Sequence, residues 1–173
     1  MISAPDRAGD GAGGSADVDP AETAGAGVLA LDVGDARIGL AAGTLGSTFA
    51  FGRGALTRVG TKRDVPAVLG AAGSEGARLI VVGLPLRMDG SESEQTRRVR
   101  TFAAALEEAA EPMGIRVVLE DERLTTRIAQ RQVGTSGLPR TRRQEKGRLD
   151  EAAAVLILES FLARQAQPPG ENG

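Results

Sequence analysis

Short apolar stretches open the first third of the chain. Residues 28–31 form an apolar run that ends at Asp32, and residues 37–42 form a second run after the Val33-Gly34-Asp35 turn. The two runs predict a β-hairpin, and we expect a third strand within residues 51–58. The sequence therefore predicts that this chain begins its fold with three antiparallel strands.

A helical period follows, with apolar positions that recur on one face of residues 63–74. We expect Thr61 to be the N-cap of this helix. Residues 78–82 are uniformly apolar, as expected of a strand buried on both faces. Residues 91–94 read Ser-Glu-Ser-Glu, which predicts a capping box for a second helix. The helix positions expected to be buried are Val65, Val68, Leu69 and Ala72, and then Val99, Phe102, Ala103 and Leu106.

The last two elements carry acidic residues. Pro112 and Gly114 should end the second helix, and residues 115–119 form a strand that leads into Glu120-Asp121-Glu122. A final helix is expected over about residues 149–163, which places Asp150 in its first turn. One side of this helix is expected to carry Ala153, Leu156 and Ser160, and the adjacent strip Ala152, Val155, Glu159 and Leu162.

This order of elements is that of an α/β ribonuclease H-like fold, a mixed five-stranded sheet flanked by helices. Ligands of open α/β sheets gather beyond the carboxyl ends of the strands. Asp32, Glu122 and Asp150 should therefore meet at one end of the sheet. Oxygen ligands suit Mg²⁺ or Mn²⁺, and such ions can hold the attacking and leaving oxygens of a phosphodiester. Asp121 stays an alternative to Glu122, although the longer side chain reaches further.

Each acid also has an ordinary structural interpretation. Asp32 precedes a glycine by two positions and could be a turn former. Glu122 could form a surface ion pair with Arg123. Asp150 in a first helical turn could simply favour the helix dipole.

Composition narrows the possible chemistry. The chain has 173 residues, no His and no Cys, and only 2% aromatic residues, all of them Phe. These absences exclude a Ser-His-Asp triad, a thiolate nucleophile and the usual structural zinc site. No apolar run approaches the roughly 20 residues that cross a bilayer. We therefore expect a cytoplasmic protein without membrane contact.

Charge is distributed unevenly around a net value of -2. Residues 1–26 are rich in Gly, Ala and Asp and predict a disordered acidic tail. Residues 165–173 predict a second disordered tail, and one domain is expected over residues 27–164. Residues 123–148 carry eight basic residues against Glu145 alone. Such a segment attracts phosphate backbones, although a solvated loop is the simpler interpretation. The candidate nucleic-acid contacts are Arg123, Arg140, Arg142, Arg143, Lys146 and Arg148.

Four strings, in order, resemble the YqgF family, also called RuvX. They are Leu31-Asp32-Val33-Gly34 with Arg37-Ile38-Gly39, residues 80–91, Asp121-Glu122-Arg123-Leu124-Thr125-Thr126, and residues 149–158. The resemblance implies a fold similar to RuvC-type Holliday junction resolvases and a nuclease that matures the 5′ end of pre-16S ribosomal RNA. It implies Asp32, Glu122 and Asp150 as the acidic triad, with Asp89 as a possible outer ligand.

The sequence thus predicts a hydrolase of nucleic-acid ester bonds that uses Mg²⁺ or Mn²⁺. Its expected partner is pre-16S RNA, and it should be a monomer or weak homodimer because the apolar helix faces are needed by the core. Two other functions stay open. One is resolution of Holliday junctions or branched DNA, and the other is a non-catalytic RNA-binding assembly factor.

Overall fold

The computed structural model describes residues 24–123 and 142–167, without the side chains of residues 142–146. Five strands and three α-helices are found there. They are β1 (Gly27–Val33), β2 (Arg37–Thr44), β3 (Ala50–Thr57), α1 (Thr61–Ser74), β4 (Ala77–Leu84), α2 (Glu94–Ala110), β5 (Arg116–Asp121) and α3 (Arg142–Gln165), with a 3₁₀ turn at Glu111–Met113. Both predicted tails lie largely outside the described residues.

The strands form one mixed sheet in the order β3-β2-β1-β4-β5. β1 and β2 pair antiparallel, as do β2 and β3, whereas β4 is parallel to both β1 and β5. This confirms the predicted fold class. One strand, β4, separates β1 from β5, so residues at their carboxyl ends can approach one another across it.

Side chains along each strand alternate between the two faces of the sheet, and each face carries a hydrophobic core. Leu29 and Leu31 of β1 lie in the core that α1 and α2 cover. Val28 and Ala30 lie in the core on the other face, which α3 covers. Both faces of the central strands are therefore buried, which explains why their sequences are continuously apolar.

The predicted cap of α1 is wrong. Thr61 is the first helical residue, and Gly60 at φ 135° is the N-cap. The Asp64 carboxylate instead reaches back and accepts hydrogen bonds from the Val59 and Gly60 amides, at 2.9 Å and 3.3 Å from Oδ1. Asp64 is buried and also pairs with Arg58. The Asp64 carboxylate thus fixes the residues that precede the helix, while the Gly60 carbonyl accepts from the Arg63 and Asp64 amides of the first turn.

The capping box of α2 lies two residues later than predicted. The Ser93 hydroxyl accepts from the Thr96 amide at 3.1 Å, and the Thr96 hydroxyl accepts from the Ser93 amide at 3.0 Å. Glu92 pairs with Leu86 in an extended bridge, so the helix cannot begin before it. The predicted buried stripe of α2 is confirmed.

The last helix differs from the prediction in length and in rotation. It begins at Arg142, which places Asp150 in its third turn and removes the helix-dipole interpretation. Ala152 is exposed and Leu156 is only half-buried. The face on the sheet is Ala154, Ile157, Leu158, Phe161 and Leu162, with Ser160 also buried. Residues 152–158 are apolar all round, so their pattern alone does not identify the buried face.

Among the described residues, no helix combines the length and the apolar character needed to cross a membrane.

Candidate active site

Asp32 lies inside β1 and pairs with Gly39 of β2. The turn between these strands is closed by the Gly34 amide, which donates to the Arg37 carbonyl at 2.9 Å. Asp32 therefore has no role in forming that turn. Burial, and then the negative charge of Asp150, raise the pKa of the Asp32 carboxyl to about 6.

Glu122 follows the last residue of β5. Its amide donates to the Leu84 carbonyl at 3.1 Å, which fixes it against the end of β4. Because Leu31 pairs with Val82, the next residue, Gly83, is level with Asp32 across the sheet. Burial raises the pKa of Glu122 to about 7, with further contributions from Asp32 and Asp121. Glu122 and Asp32 therefore share one desolvated region.

Asp150 approaches from the helix that covers this face. Its Oδ2 accepts a hydrogen bond from Arg37 Nε at 3.0 Å, in a partly buried ion pair. Asp150 acts on the pKa of Asp32, and Asp32 acts on that of Glu122. The structure thus brings the three predicted acids together, with Asp32 between the other two.

Two glycines make this convergence possible, and the sequence interpretation missed both roles. A Cβ on Gly39 would lie 1.9 Å from the Asp150 carbonyl oxygen, so α3 packs directly on the β2 backbone there. A Cβ on Gly83 would lie 2.6 Å from Glu122 Oε1 and 2.4 Å from Ile157 Cδ1. A glycine inside a strand is the signal that could have indicated such close approaches.

Asp121 is engaged elsewhere. Its Oδ2 accepts from Arg123 Nε at 3.0 Å and from Nη2 at 2.6 Å, and its Oδ1 accepts from the Arg123 amide. These bonds, led by the guanidinium, hold the pKa of Asp121 below its ordinary value. This engagement with Arg123 counts against Asp121 as the cation ligand at this edge. The charge of Arg123 is paired with Asp121, one residue before Glu122.

Glu120 is a buried carboxylate that the sequence interpretation treated only as a neighbour of the site. It pairs with Gly83 and is fully buried on the face covered by α3. Ser160 Oγ donates to its Oε1 at 3.4 Å, and Arg164 forms an ion pair with its Oε2. Burial raises its pKa, and these two partners oppose that change. Glu120 therefore fastens α3 to the sheet.

The donor chemistry of the cluster fits a hard divalent cation. Carboxylate oxygens are the ligands that Mg²⁺ and Mn²⁺ prefer. Burial, and then repulsion between the acids, raise the pKa of Asp32 and of Glu122, and a bound cation would stabilise their charged forms. Within the described ranges, however, no group of three or more acidic side chains is arranged so that it could hold a metal ion. The ion pair with Arg37 holds one Asp150 oxygen. Asp89, considered above as an outer ligand, is exposed and its Oδ1 accepts from the Ser91 amide at 2.9 Å.

Only part of the basic segment lies in the described structure. Arg140 is outside it, as are the side chains of Arg142, Arg143 and Lys146. Residues 142–148 form the first two turns of α3, whereas the sequence placed them in a loop. Arg148 is exposed and lines an open groove between α3 and β3 with Gly52, Glu151 and Val155.

Comparisons with known proteins agree with this geometry. A family model described as "RuvX: Holliday junction resolvase" matches residues 26–164. A Thermus thermophilus protein named "Putative pre-16S rRNA nuclease" is 48% identical over 137 residues, covering 79% of this chain and 97% of the relative. "Ribonuclease YqgF" of Deinococcus radiodurans is 41% identical over 146 residues, covering 84% and 94%.

Among solved structures, Thermus thermophilus RuvC in complex with a Holliday junction substrate superposes with a TM-score of 0.55. It is 16% identical and covers 84% of this chain and 99% of that one. At this identity the likeness supports the fold alone. The family-model match and the identity to the curated relatives are much stronger. They establish that this chain belongs to the RuvX family, whose members include proteins named YqgF.

Proposed function

We propose that this protein is a metal-dependent nuclease that hydrolyses a phosphodiester bond near the 5′ end of pre-16S ribosomal RNA. The observation that carries the proposal is the desolvated carboxylate cluster at the carboxyl ends of β1 and β5. One relative in the same family is named a putative pre-16S rRNA nuclease, and another is named a ribonuclease. Bacterial ribosomal RNA matures in the cytoplasm, where we place this activity.

Asp32, Glu122 and Asp150 are the residues that would hold Mg²⁺ or Mn²⁺. When bound, the ion supplies positive charge at the phosphoryl oxygens of the scissile bond. Asp32 lies between the other acids and is the proposed central anchor. Glu122, with its pKa near 7, keeps a proton in much of the metal-free protein at neutral pH. Cation binding should therefore release a proton from this side chain.

The proposed contacts with the RNA backbone come from the basic segment. Arg148 is exposed in the groove beside β3, and Arg142, Arg143 and Lys146 belong to the same helical turns. Arg123 follows Glu122 in the chain, and its ion pair with Asp121 orients its guanidinium before any phosphate arrives. Such preorganisation lowers the entropy cost of binding. Arg140 is included on charge alone.

Resolution of Holliday junctions or other branched DNA is the second candidate, favoured by the description of the family model. A four-way junction is two-fold symmetric, and paired cuts need two active sites at a fixed spacing in a dimer. The apolar faces of α1, α2 and α3 are buried in this chain's own cores. We therefore propose a monomer or weak dimer that cuts RNA at one site at a time.

Depletion in cells tests this function, with the 5′ ends of 16S RNA mapped by primer extension. We expect extended 5′ ends, restored by the wild type and by Asp35→Asn but not by Asp32→Asn. Asp35 is an exposed carboxylate three residues away and is the matched control. Normal 5′ ends after depletion would contradict the proposal. Full rescue by Asp32→Asn would instead indicate a non-catalytic assembly factor.

A further inference from the structure

A small hairpin projects between β4 and α2. Leu86 and Glu92 pair as an antiparallel bridge at its base. The Arg87 amide donates to the Ser91 carbonyl at 3.0 Å, and the Gly90 amide donates to the Arg87 carbonyl at 2.8 Å. Gly90 has φ +85°, a conformation that favours glycine. Residues 86–92, called the tip hairpin below, are therefore an ordered turn.

The tip hairpin is fastened to α2 at both ends. The Thr96 hydroxyl donates to the Pro85 carbonyl before it, and Arg100 Nε lies 2.5 Å from Glu92 Oε1 at its end. Inside the turn, Asp89 Oδ1 accepts from the Ser91 amide. These contacts fix the direction in which the tip points. A side chain at the tip is thus presented in one place, at little further cost in conformational entropy on binding.

Met88 occupies that tip and is 83% exposed, more than any other large apolar side chain in the described residues. Single exposed apolar residues are common and need no explanation by themselves. Here the side chain stands on a fastened turn, next to the exposed Arg87. An apolar group and a cation side by side match a nucleic-acid base and its phosphate.

The position of the tip hairpin relates it to the candidate active site. It follows the carboxyl end of β4, the strand between Asp32 and Glu122. A Cβ on Gly90 would lie 3.2 Å from Arg123 Nη1, so the hairpin borders the residue that follows Glu122. A nucleic acid bound at the acids would pass this turn.

The aromatic residues cannot supply an equivalent contact at this end of the sheet. Phe102 and Phe161 are fully buried in the cores. Phe49 and Phe51 are exposed, but they lie at the start of β3, where Ala50 pairs with Gly43. That is the opposite end of the sheet from Asp32. Methionine is flexible and polarisable, and it packs well on irregular apolar surfaces.

We infer that the tip hairpin is a nucleic-acid contact in which Met88 packs against one base and unstacks it from its neighbour, while Arg87 binds the adjacent phosphate. This inference rests on the proposed nuclease function and adds a substrate-positioning element to it. Apolar wedges of this kind separate base steps in other nucleic-acid-binding proteins. The contact chemistry is common to RNA and DNA.

The test compares Met88→Ser with Met113→Ser in the full chain. Met113 is also exposed, at 47%, but it precedes β5 at the opposite end of the sheet. The probes are 20-nucleotide RNA and DNA strands that span the 5′ end of 16S RNA, each with 2-aminopurine at one of several successive positions. Binding is measured without divalent cations, so that no probe is cut.

Wild type should raise 2-aminopurine fluorescence at one position, and Met88→Ser should abolish that rise and weaken binding on the order of tenfold. Met113→Ser should match the wild type, and Met88→Leu should retain most of the effect. Equal melting temperatures would show that each variant is folded. If Met88→Ser loses the fluorescence rise on only the RNA or only the DNA probe, the result supports the inference and identifies which nucleic acid supplies the base.

The inference would be overturned if Met88→Ser binds and unstacks the probe as well as the wild type does. If the wild type also cuts pre-16S RNA, the nuclease function would stay intact. A wild type that binds neither strand would overturn both.

Discussion

Asp32→Asn removes a charge that the fold holds at a cost. The pKa of this carboxyl rises from 3.8 to about 6, because it is buried and faces Asp150. The folded protein therefore binds more protons than the unfolded chain between about pH 4 and pH 6, so stability falls as pH rises through that window. A shift of about two units corresponds to roughly 3 kcal/mol at pH 8, and to nothing below pH 4.

The amide of Asn is itself partly buried, which offsets part of this gain. We therefore expect Asp32→Asn to stabilise the metal-free protein by about 1 to 3 kcal/mol at pH 8, or roughly 3 to 8 °C in melting temperature. Lowered repulsion should also bring the pKa of Glu122 down toward its ordinary value. Cleavage should be lost, because the central anchor of the proposed cation is gone.

The assay is thermal unfolding from pH 4 to pH 8 in EDTA, followed by a nuclease assay in Mg²⁺. Asp35→Asn is the control, since Asp35 is exposed in its ion pair with Arg98 and should shift the melting temperature by less than about 1 °C. The reasoning is refuted if Asp32→Asn lowers the melting temperature at pH 8. It is also refuted if the variant cuts at the wild-type rate.

Three further predictions concern the surroundings of the acids. Gly83→Ala puts a methyl group 2.6 Å from Glu122 Oε1, so it should lower the free energy of unfolding in urea by about 1 to 3 kcal/mol and remove most of the cleavage activity. Wild-type values for both stability and cleavage would contradict this prediction. Arg37→Met frees Asp150 Oδ2 and should enlarge the rise in melting temperature that Mg²⁺ produces, whereas an unchanged rise would show that the ion pair does not compete with the cation. Replacing Arg140, Arg142 and Arg143 together by Ala should reduce the slope of log K for RNA binding against log salt concentration by roughly 2 to 3. An unchanged slope would show that these arginines are solvated surface residues that do not contact phosphates.

The sequence predicts most of the fold because apolar runs and helical periods are strong signals. Its errors fall where such signals are weak. The segment before Asp150 is basic and lacks apolar periodicity, so the start of α3 was placed seven residues too late. Residues 152–158 are apolar on every side, so the predicted face of α3 is rotated relative to the observed one. The sheet determines which face of the helix is buried, through the close approach of α3 at Gly39.

The candidate acids were predictable from their positions at strand ends, but their partners were not. The ion pair of Arg37 with Asp150 joins residues 113 apart in sequence. The pairing of Arg123 with Asp121 depends on how the chain turns after the end of β5. Contacts of this kind follow from packing between elements, which a local pattern does not encode.

Cleavage of a purified precursor transcript tests the central claim most directly. An RNA spanning the 5′ end of 16S RNA is incubated with wild type, Asp32→Asn or Asp35→Asn, each with Mg²⁺, with Mn²⁺ or with EDTA, and the product ends are mapped. We predict a defined cut by the wild type and by Asp35→Asn, only with a cation, and no cut by Asp32→Asn. An intact transcript, together with paired symmetric nicks in a synthetic four-way junction by a stable dimer, would contradict the account.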